Sequence, residues 1–212
     1  MMICIINCDF DESDVTNGGS ILNRLVNNSK VYNAFENSLP EDYNFSGFII
    51  SGSRASVYDE EDWIKKTLEY IKKIPENIPV LGICFGFQAI CLINGGKVES
   101  SGKFEEGFKK INIEMTSNLF QNINKNIFYE SHGDVAKSLP VNAEIIAKNE
   151  FSVQAYKLNN NYCVQFHPEI TRKTATIMAK RDEKDINEII STADDDYGLI
   201  LIDNFINICN NN

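Results

Sequence analysis

Histidine is nearly absent from this chain: His132 and His167 are the only two in 212 residues. Any acid–base chemistry that needs an imidazole must therefore use one of these positions. The six cysteines, at 4, 8, 84, 91, 163 and 209, include no Cys-x-x-Cys pair. That spacing offers neither a dithiol redox motif nor a thiolate metal site, and a chain of this length needs no disulfide staples, so reduced thiols are expected. With two separated histidines and no paired cysteines, no metal-ligand set is recognisable, and no metal is expected. Basic residues are also short, 20 against 30 acidic, for a net charge of −10. Such a field repels a phosphate backbone and excludes nucleic acid as the expected partner. The chain has no apolar run long enough to cross a membrane, and its first residues carry no basic leader, so the expectation is a cytoplasmic protein without membrane contact. Also missing is a Gly-x-x-x-x-Gly-Lys-Ser/Thr loop, which leaves no recognisable ATP-binding synthetase module, and no cofactor is expected.

What is present suits one globular domain spanning residues 1–212, with 43% hydrophobic and 24% charged residues and no internal repeat. Short apolar runs alternate with amphipathic helical patterns through the first hundred residues. This predicts a flavodoxin-like α/β sheet, open and mostly parallel at its centre, with helices on both faces. Residues 2–7, 48–50 and 79–83 read as buried strands. Ile21, Leu22, Leu25 and Val26 mark one helical face, and Trp63, Ile64, Leu68, Ile71 and Ile74 mark another, entered through Asp59, Glu60, Glu61 and Asp62 and ended before Pro75. A third helix is expected over residues 86–93, closing at Asn94-Gly95-Gly96. From residue 97 the pattern shifts to period two, as in 152–158 and 162–166 around an Asn159-Asn160-Asn161 turn, so antiparallel strands are added in the second half. Residues 171–194 read as an exposed helical excursion, followed by a last helix near 199–208 and an asparagine-rich tail expected to fray.

The chemistry concentrates at Gly82-Ile83-Cys84-Phe85-Gly86, between a strand and a helix. Gly-x-Cys-x-Gly in that setting is a nucleophile elbow with sulfur in place of oxygen, or else a buried cysteine in a glycine-rich turn. In the first case the elbow presents the thiol at the carboxyl edge of the sheet, facing a helix amino end that stabilises a thiolate. Each histidine has a carboxylate two places on, in His132-Gly133-Asp134 and His167-Pro168-Glu169. Either could be a base with its orienting acid, because i and i+2 share a side of an extended segment. His167 closes the strongly patterned run 162–166, which favours it, but spacing alone leaves the choice open. The small residues Ser51-Gly52-Ser53-Arg54-Ala55-Ser56, after a buried strand, fit either an oxyanion loop or a plain strand-to-helix turn.

Taken together, the segments 48–63, 79–88, 131–134 and 164–169 resemble the class I, or triad, glutamine amidotransferases, and most closely stand-alone proteins similar to the amidotransferase domain of GMP synthase. The four segments occur in the family's order. The resemblance implies Cys84 as a nucleophile forming a γ-glutamyl thioester, His167 as general base and Glu169 as the residue that orients it. It implies an oxyanion hole from the backbone N–H groups of Gly52 and Phe85, a substrate contact from Gln88, and a grip on the substrate's α-amino and α-carboxyl groups from Ser131, His132, Gly133 and Asp134. Ser53-Arg54 departs from the family's usual Gly-Pro, and Phe87 replaces a frequent histidine. The implied substrate is glutamine or another γ-glutamyl compound. Ammonia would pass to a separate ATP-dependent synthetase, or the protein would act alone as a γ-glutamyl peptidase. A non-catalytic subunit that keeps the fold and binds a γ-glutamyl ligand is the remaining reading.

Overall fold

The computed structural model describes residues 2–192 and 197–211. In chain order its elements are β1 (Ile3–Asn7), α1 (Gly18–Leu25), β2 (Ser29–Asn33), β3 (Gly47–Ile50), α2 (Asp62–Ile71), β4 (Val80–Ile83), α3 (Phe85–Ile93) and β5 (Lys97–Lys110). There follow β6 (Asn112–Ile113), β7 (Ile127–Ser138), β8 (Glu144–Lys148), β9 (Val153–Leu158), β10 (Asn161–Val164), α4 (Arg172–Arg181), α5 (Ile186–Ile190) and α6 (Tyr197–Asn210). The main sheet has eight strands in the order β2-β1-β3-β4-β10-β9-β8-β6. Its pairs from β2 across to β10 are parallel, and those from β10 out to β6 are antiparallel. This is the open, doubly wound α/β architecture with added antiparallel strands that the sequence implies.

The central strands are apolar on both faces because both faces are covered. Ile3 and Ile5 of β1 join Leu22 of α1 and Phe205 of α6 in one core, while Cys4 and Ile6 point the other way, into a core with Ile64 of α2 and Phe87 of α3. Helix α1 starts where Asn17 accepts the Ser20 N–H on its side-chain oxygen at 2.9 Å, an N-cap that satisfies an otherwise unpaired donor. Helix α2 buries Trp63, Ile64, Thr67, Tyr70 and Ile71, one stripe at helical spacing. Among the described residues no helix is long and apolar enough to cross a membrane.

Three features depart from the sequence expectation. Strand β2 is an edge strand whose half-buried Ser-Lys-Val-Tyr-Asn run has little apolar signal. Strands β5 and β7 form a separate two-stranded antiparallel ribbon, not part of the main sheet. The segment read as an exposed excursion instead folds back as α4 and α5, burying Ala175, Ala179 and Ile189 against Ile21, Phe108, Tyr129 and Ile170. Its contact residues on α4 are small, which hides them in a hydropathy reading; residues 193 and 194 lie outside the described residues. Helix α6 ends at Asn210, two residues past the expected end, and position 212 lies outside the described residues.

Candidate active site

Strands β3, β4 and β10 are consecutive in the sheet and run parallel, so their carboxyl ends open side by side. Gly52 lies just past β3, Cys84 just past β4, and His167 just past β10. The sheet thus brings together residues scattered over more than half the sequence.

Cys84 sits at the elbow with φ 49° and ψ −97°, a conformation that L residues rarely adopt. Two close approaches hold it there. A Cβ on Gly82 would lie 2.7 Å from the backbone of Gly86, and one on Gly86 would lie 2.5 Å from the Ile50 carbonyl oxygen. Only glycines let α3 turn this tightly over β3 and β4. The Cys84 N–H donates to the Val164 carbonyl at 2.9 Å, tying the elbow to β10. Phe85 opens α3, where the first amides have no intrahelical acceptor and point toward the elbow; its ring stacks on Trp63 at 5.8 Å.

His167 is held from three sides. Its N–H donates to the Tyr129 carbonyl at 2.7 Å, bridging the main sheet to the ribbon. Its Nδ1 is 2.8 Å from Glu169 Oε1, and Glu169 is 1% exposed. The Cys84 side chain lies close enough to the ring to act on its charge. Burial alone would lower the histidine's pKa, but the Glu169 carboxylate and the Cys84 sulfur outweigh it and hold the ring well above the ordinary range. Gly52 is pressed against this pair: a Cβ there would sit 2.6 Å from His167 Cε1 and 3.5 Å from Cys84 Cβ.

A cavity of about 410 Å³ opens over these residues, lined also by Gln88, Ser131, His132, Gly133 and Asp134. Gln88 Nε2 donates to the Asp134 carbonyl and to Gln165 Oε1, each at 3.2 Å. The Asp134 carboxylate takes the Ser56 hydroxyl at 2.5 Å and the Tyr58 hydroxyl at 2.8 Å. The loop after β3 is shaped without the family's usual proline: Ser53 Oγ accepts the Ala55 N–H at 3.1 Å, and Arg54 pairs with Asp11 at 3.1 Å. His132 is held by groups other than Glu169. Its Nδ1 lies 3.1 Å from the Asp134 carbonyl, and its Nε2 lies 3.1 Å from Glu105 and 3.2 Å from Glu130. Burial would lower its pKa, yet the two carboxylates push it up to about 10. Glu130 is itself pushed up to about 7 by burial, against the pull of His132.

Several lining residues were not legible beforehand. Arg181, Asp182 and Lys184 come from the end of α4 and the turn after it, and Asp9, Asp11 and Thr16 from the loop after β1. Arg181 joins the two groups by pairing with Asp11 and Asp182. The position of the loop after β1, at a strand's carboxyl end in a parallel sheet, was the available signal.

The fold and this row of residues define a class: doubly wound α/β proteins with a cysteine elbow facing a histidine–glutamate pair. Across residues 13–183 the chain matches the model of the glutamine amidotransferase class-I family, and it belongs to that family. It is 40% identical over 126 residues to the glutamine-hydrolyzing GMP synthase of Brachyspira hyodysenteriae, covering 58% of this chain and 24% of that protein. It is 38% identical over 138 residues to gamma-glutamyl peptidase 4 of Arabidopsis thaliana, covering 60% of this chain and 55% of the peptidase. The match thus takes in about a quarter of the synthase and about half of the peptidase. Among solved structures, a glutamine amidotransferase from Thermotoga maritima superposes with a TM-score of 0.80 at 18% identity, over 98% of this chain and 97% of that one. A glutamine amidotransferase from Methylobacillus flagellatus gives 0.79 at 19% identity, over 97% and 93%. At these identities the likeness is one of fold.

Proposed function

We propose that this chain hydrolyses γ-glutamyl amides, with glutamine as substrate, through a thioester on Cys84. The observation that carries this reading is the Cys84 elbow beside an imidazole that is itself anchored on buried Glu169. His167 takes the thiol proton, and the sulfur adds to the δ-carbonyl carbon. The resulting oxyanion is met by the backbone N–H groups of Gly52 and Phe85. The imidazolium then protonates the amide nitrogen, the C–N bond breaks, and ammonia leaves the γ-glutamyl thioester behind. Water gives a proton to His167 and attacks the thioester carbon; the C–S bond breaks, glutamate departs, and the proton returns to sulfur. Ser131, His132, Gly133 and Asp134 wall the end of the cavity where the substrate's α-amino and α-carboxyl groups would lie, with Gln88 bracing that wall. The 212 residues act as one catalytic unit, and ammonia passes to a separate ATP-dependent synthetase.

A second reading, a γ-glutamyl peptidase acting on conjugates, is favoured by the cavity, whose size falls in the range that takes ligands larger than an amino acid. The similarity to the Arabidopsis peptidase supports it as well. Ammonia release from glutamine, set against amine release from γ-glutamyl dipeptides, separates the two. Cys84→Ala is expected to abolish turnover on either substrate, and Glu169→Gln to lower kcat by roughly two to four orders of magnitude. His132→Ala should raise KM more than it lowers kcat. Equal loss in His132→Ala and His167→Ala would overturn the assignment of the base.

A further inference from the structure

Two carboxylates and an imidazole meet at the base of the ribbon, outside the row of Cys84, His167 and Glu169. Glu105 of β5 is the direct cross-strand partner of His132 on β7. Glu130 precedes His132 by two positions on the same strand, so its side chain shares that face. Their ligand atoms lie within 4.8 Å of one another, and the three residues are 8%, 0% and 3% exposed for Glu105, Glu130 and His132.

The contacts lack one component. His132 Nε2 lies 3.1 Å from Glu105 Oε2 and 3.2 Å from Glu130 Oε2, but neither approach has hydrogen-bond geometry. Among the described residues, both Glu130 oxygens and His132 Nε2 have no hydrogen-bond partner. The Asp134 carbonyl, 3.1 Å from Nδ1, can only accept, so Nδ1 carries the ring hydrogen. In the neutral ring, Nε2 then directs a lone pair at two carboxylates, an arrangement that demands a positive charge among them. One proton on the ring leaves a net charge of −1 and a second on Glu130 brings it to zero, but neither gives the Glu130 oxygens a hydrogen-bond partner in the arrangement seen. A divalent cation likewise brings the sum to zero, and it takes a lone pair from Nε2 and from each carboxylate.

The spacing fits such an ion. Ligands about 2.0 to 2.1 Å from a metal stand about 2.9 Å apart at octahedral angles and about 3.4 Å apart at tetrahedral ones. The two separations from His132 Nε2, 3.1 and 3.2 Å, fall between these values. The surrounding groups are those that orient metal ligands: Asn149 Nδ2 donates to Glu105 Oε1 at 2.6 Å, Gln154 Nε2 donates to Glu105 Oε2 at 3.1 Å, and a backbone carbonyl fixes the imidazole tautomer. The mixed nitrogen and carboxylate set suits zinc or manganese over calcium.

We propose that Glu105, Glu130 and His132 bind one divalent first-row transition metal ion, which clamps residues 131–134 of the cavity wall against β5. The set was hidden in the sequence because strand pairing, not spacing, assembles it. The proposal is independent of the γ-glutamyl reading and is tested without an activity assay. The full chain is stripped with a chelator and titrated with zinc by calorimetry, and with cobalt(II) by its visible absorption. One equivalent is expected to bind in the micromolar range or tighter. Glu130→Gln, close to isosteric, and His132→Gln should each weaken binding about tenfold or more, with folding of each variant checked by circular dichroism. Cys84→Ser should leave binding unchanged. Absence of binding in the micromolar range would overturn the proposal. So would binding that survives Glu130→Gln but is lost in Cys84→Ser, since the ion would then sit on the catalytic-row thiol.

Discussion

At residue 84 the backbone and the chemistry make opposing demands. Presenting a thiol at the tip of the elbow requires φ 49° with ψ −97°, and a side chain there costs on the order of 1–3 kcal/mol in strain. Glycine carries no such penalty. Cys84→Gly should therefore unfold at a higher urea concentration than Cys84→Ala, by about 1 kcal/mol once the greater freedom of glycine in the unfolded chain is counted. Both variants should be inactive. Equal midpoints would mean that the elbow is not strained. The elbow itself was legible because Gly82 and Gly86 flank the cysteine at fixed offsets. The choice of histidine was not: both carry an acid two residues on, and what separates them is long-range. His167 lies just past a strand that runs beside β4, whereas His132 has one ring nitrogen against a backbone carbonyl and the other between two carboxylates.

At the scale of elements, legibility followed burial. Strands β3 and β4 are fully buried and stood out as apolar runs. The ribbon strand β5, mostly exposed and rich in lysine, glutamate and serine, gave no sign that it pairs outside the main sheet. Helix α4 gave a misleading signal, because Ala175 and Ala179 make its contact with so little side chain that the polar face dominates. What seats the neighbouring helix α5 is a glycine. Gly107 has φ 86°, and a Cβ there would lie 2.9 Å from the Ile189 carbonyl oxygen. Gly107→Ala is thus expected to destabilise the fold by about 1–2 kcal/mol and to lift α5 off the ribbon. Faster limited trypsin cleavage between residues 172 and 184, at unchanged rates elsewhere, would report that movement. An unaltered digestion pattern would show that α5 does not depend on this contact.

Across the whole molecule, six free cysteines are all buried, yet only Cys84 among them lines the cavity. Burial pushes the Cys91 thiol up to about 11 and the Cys209 thiol up to about 12, and drives those of Cys4, Cys8 and Cys163 higher still. Their reactive thiolate forms are therefore suppressed at neutral and mildly alkaline pH. Native protein should take up one equivalent of iodoacetamide quickly, with peptide mapping placing it at Cys84, and urea should expose the full set of six. Rapid modification of a second thiol in the native protein would mean that one of the two cores opens readily.

The backbone hydrogen bond from His167 to Tyr129 has a mechanical corollary. The His167 imidazole rides on a joint shared by the eight-stranded sheet and the two-stranded ribbon, so its alignment with the sulfur depends on how those two bodies are seated on each other. A load applied to the ribbon therefore has a direct backbone route to the ring, whereas Cys84 is tied by its own N–H to β10.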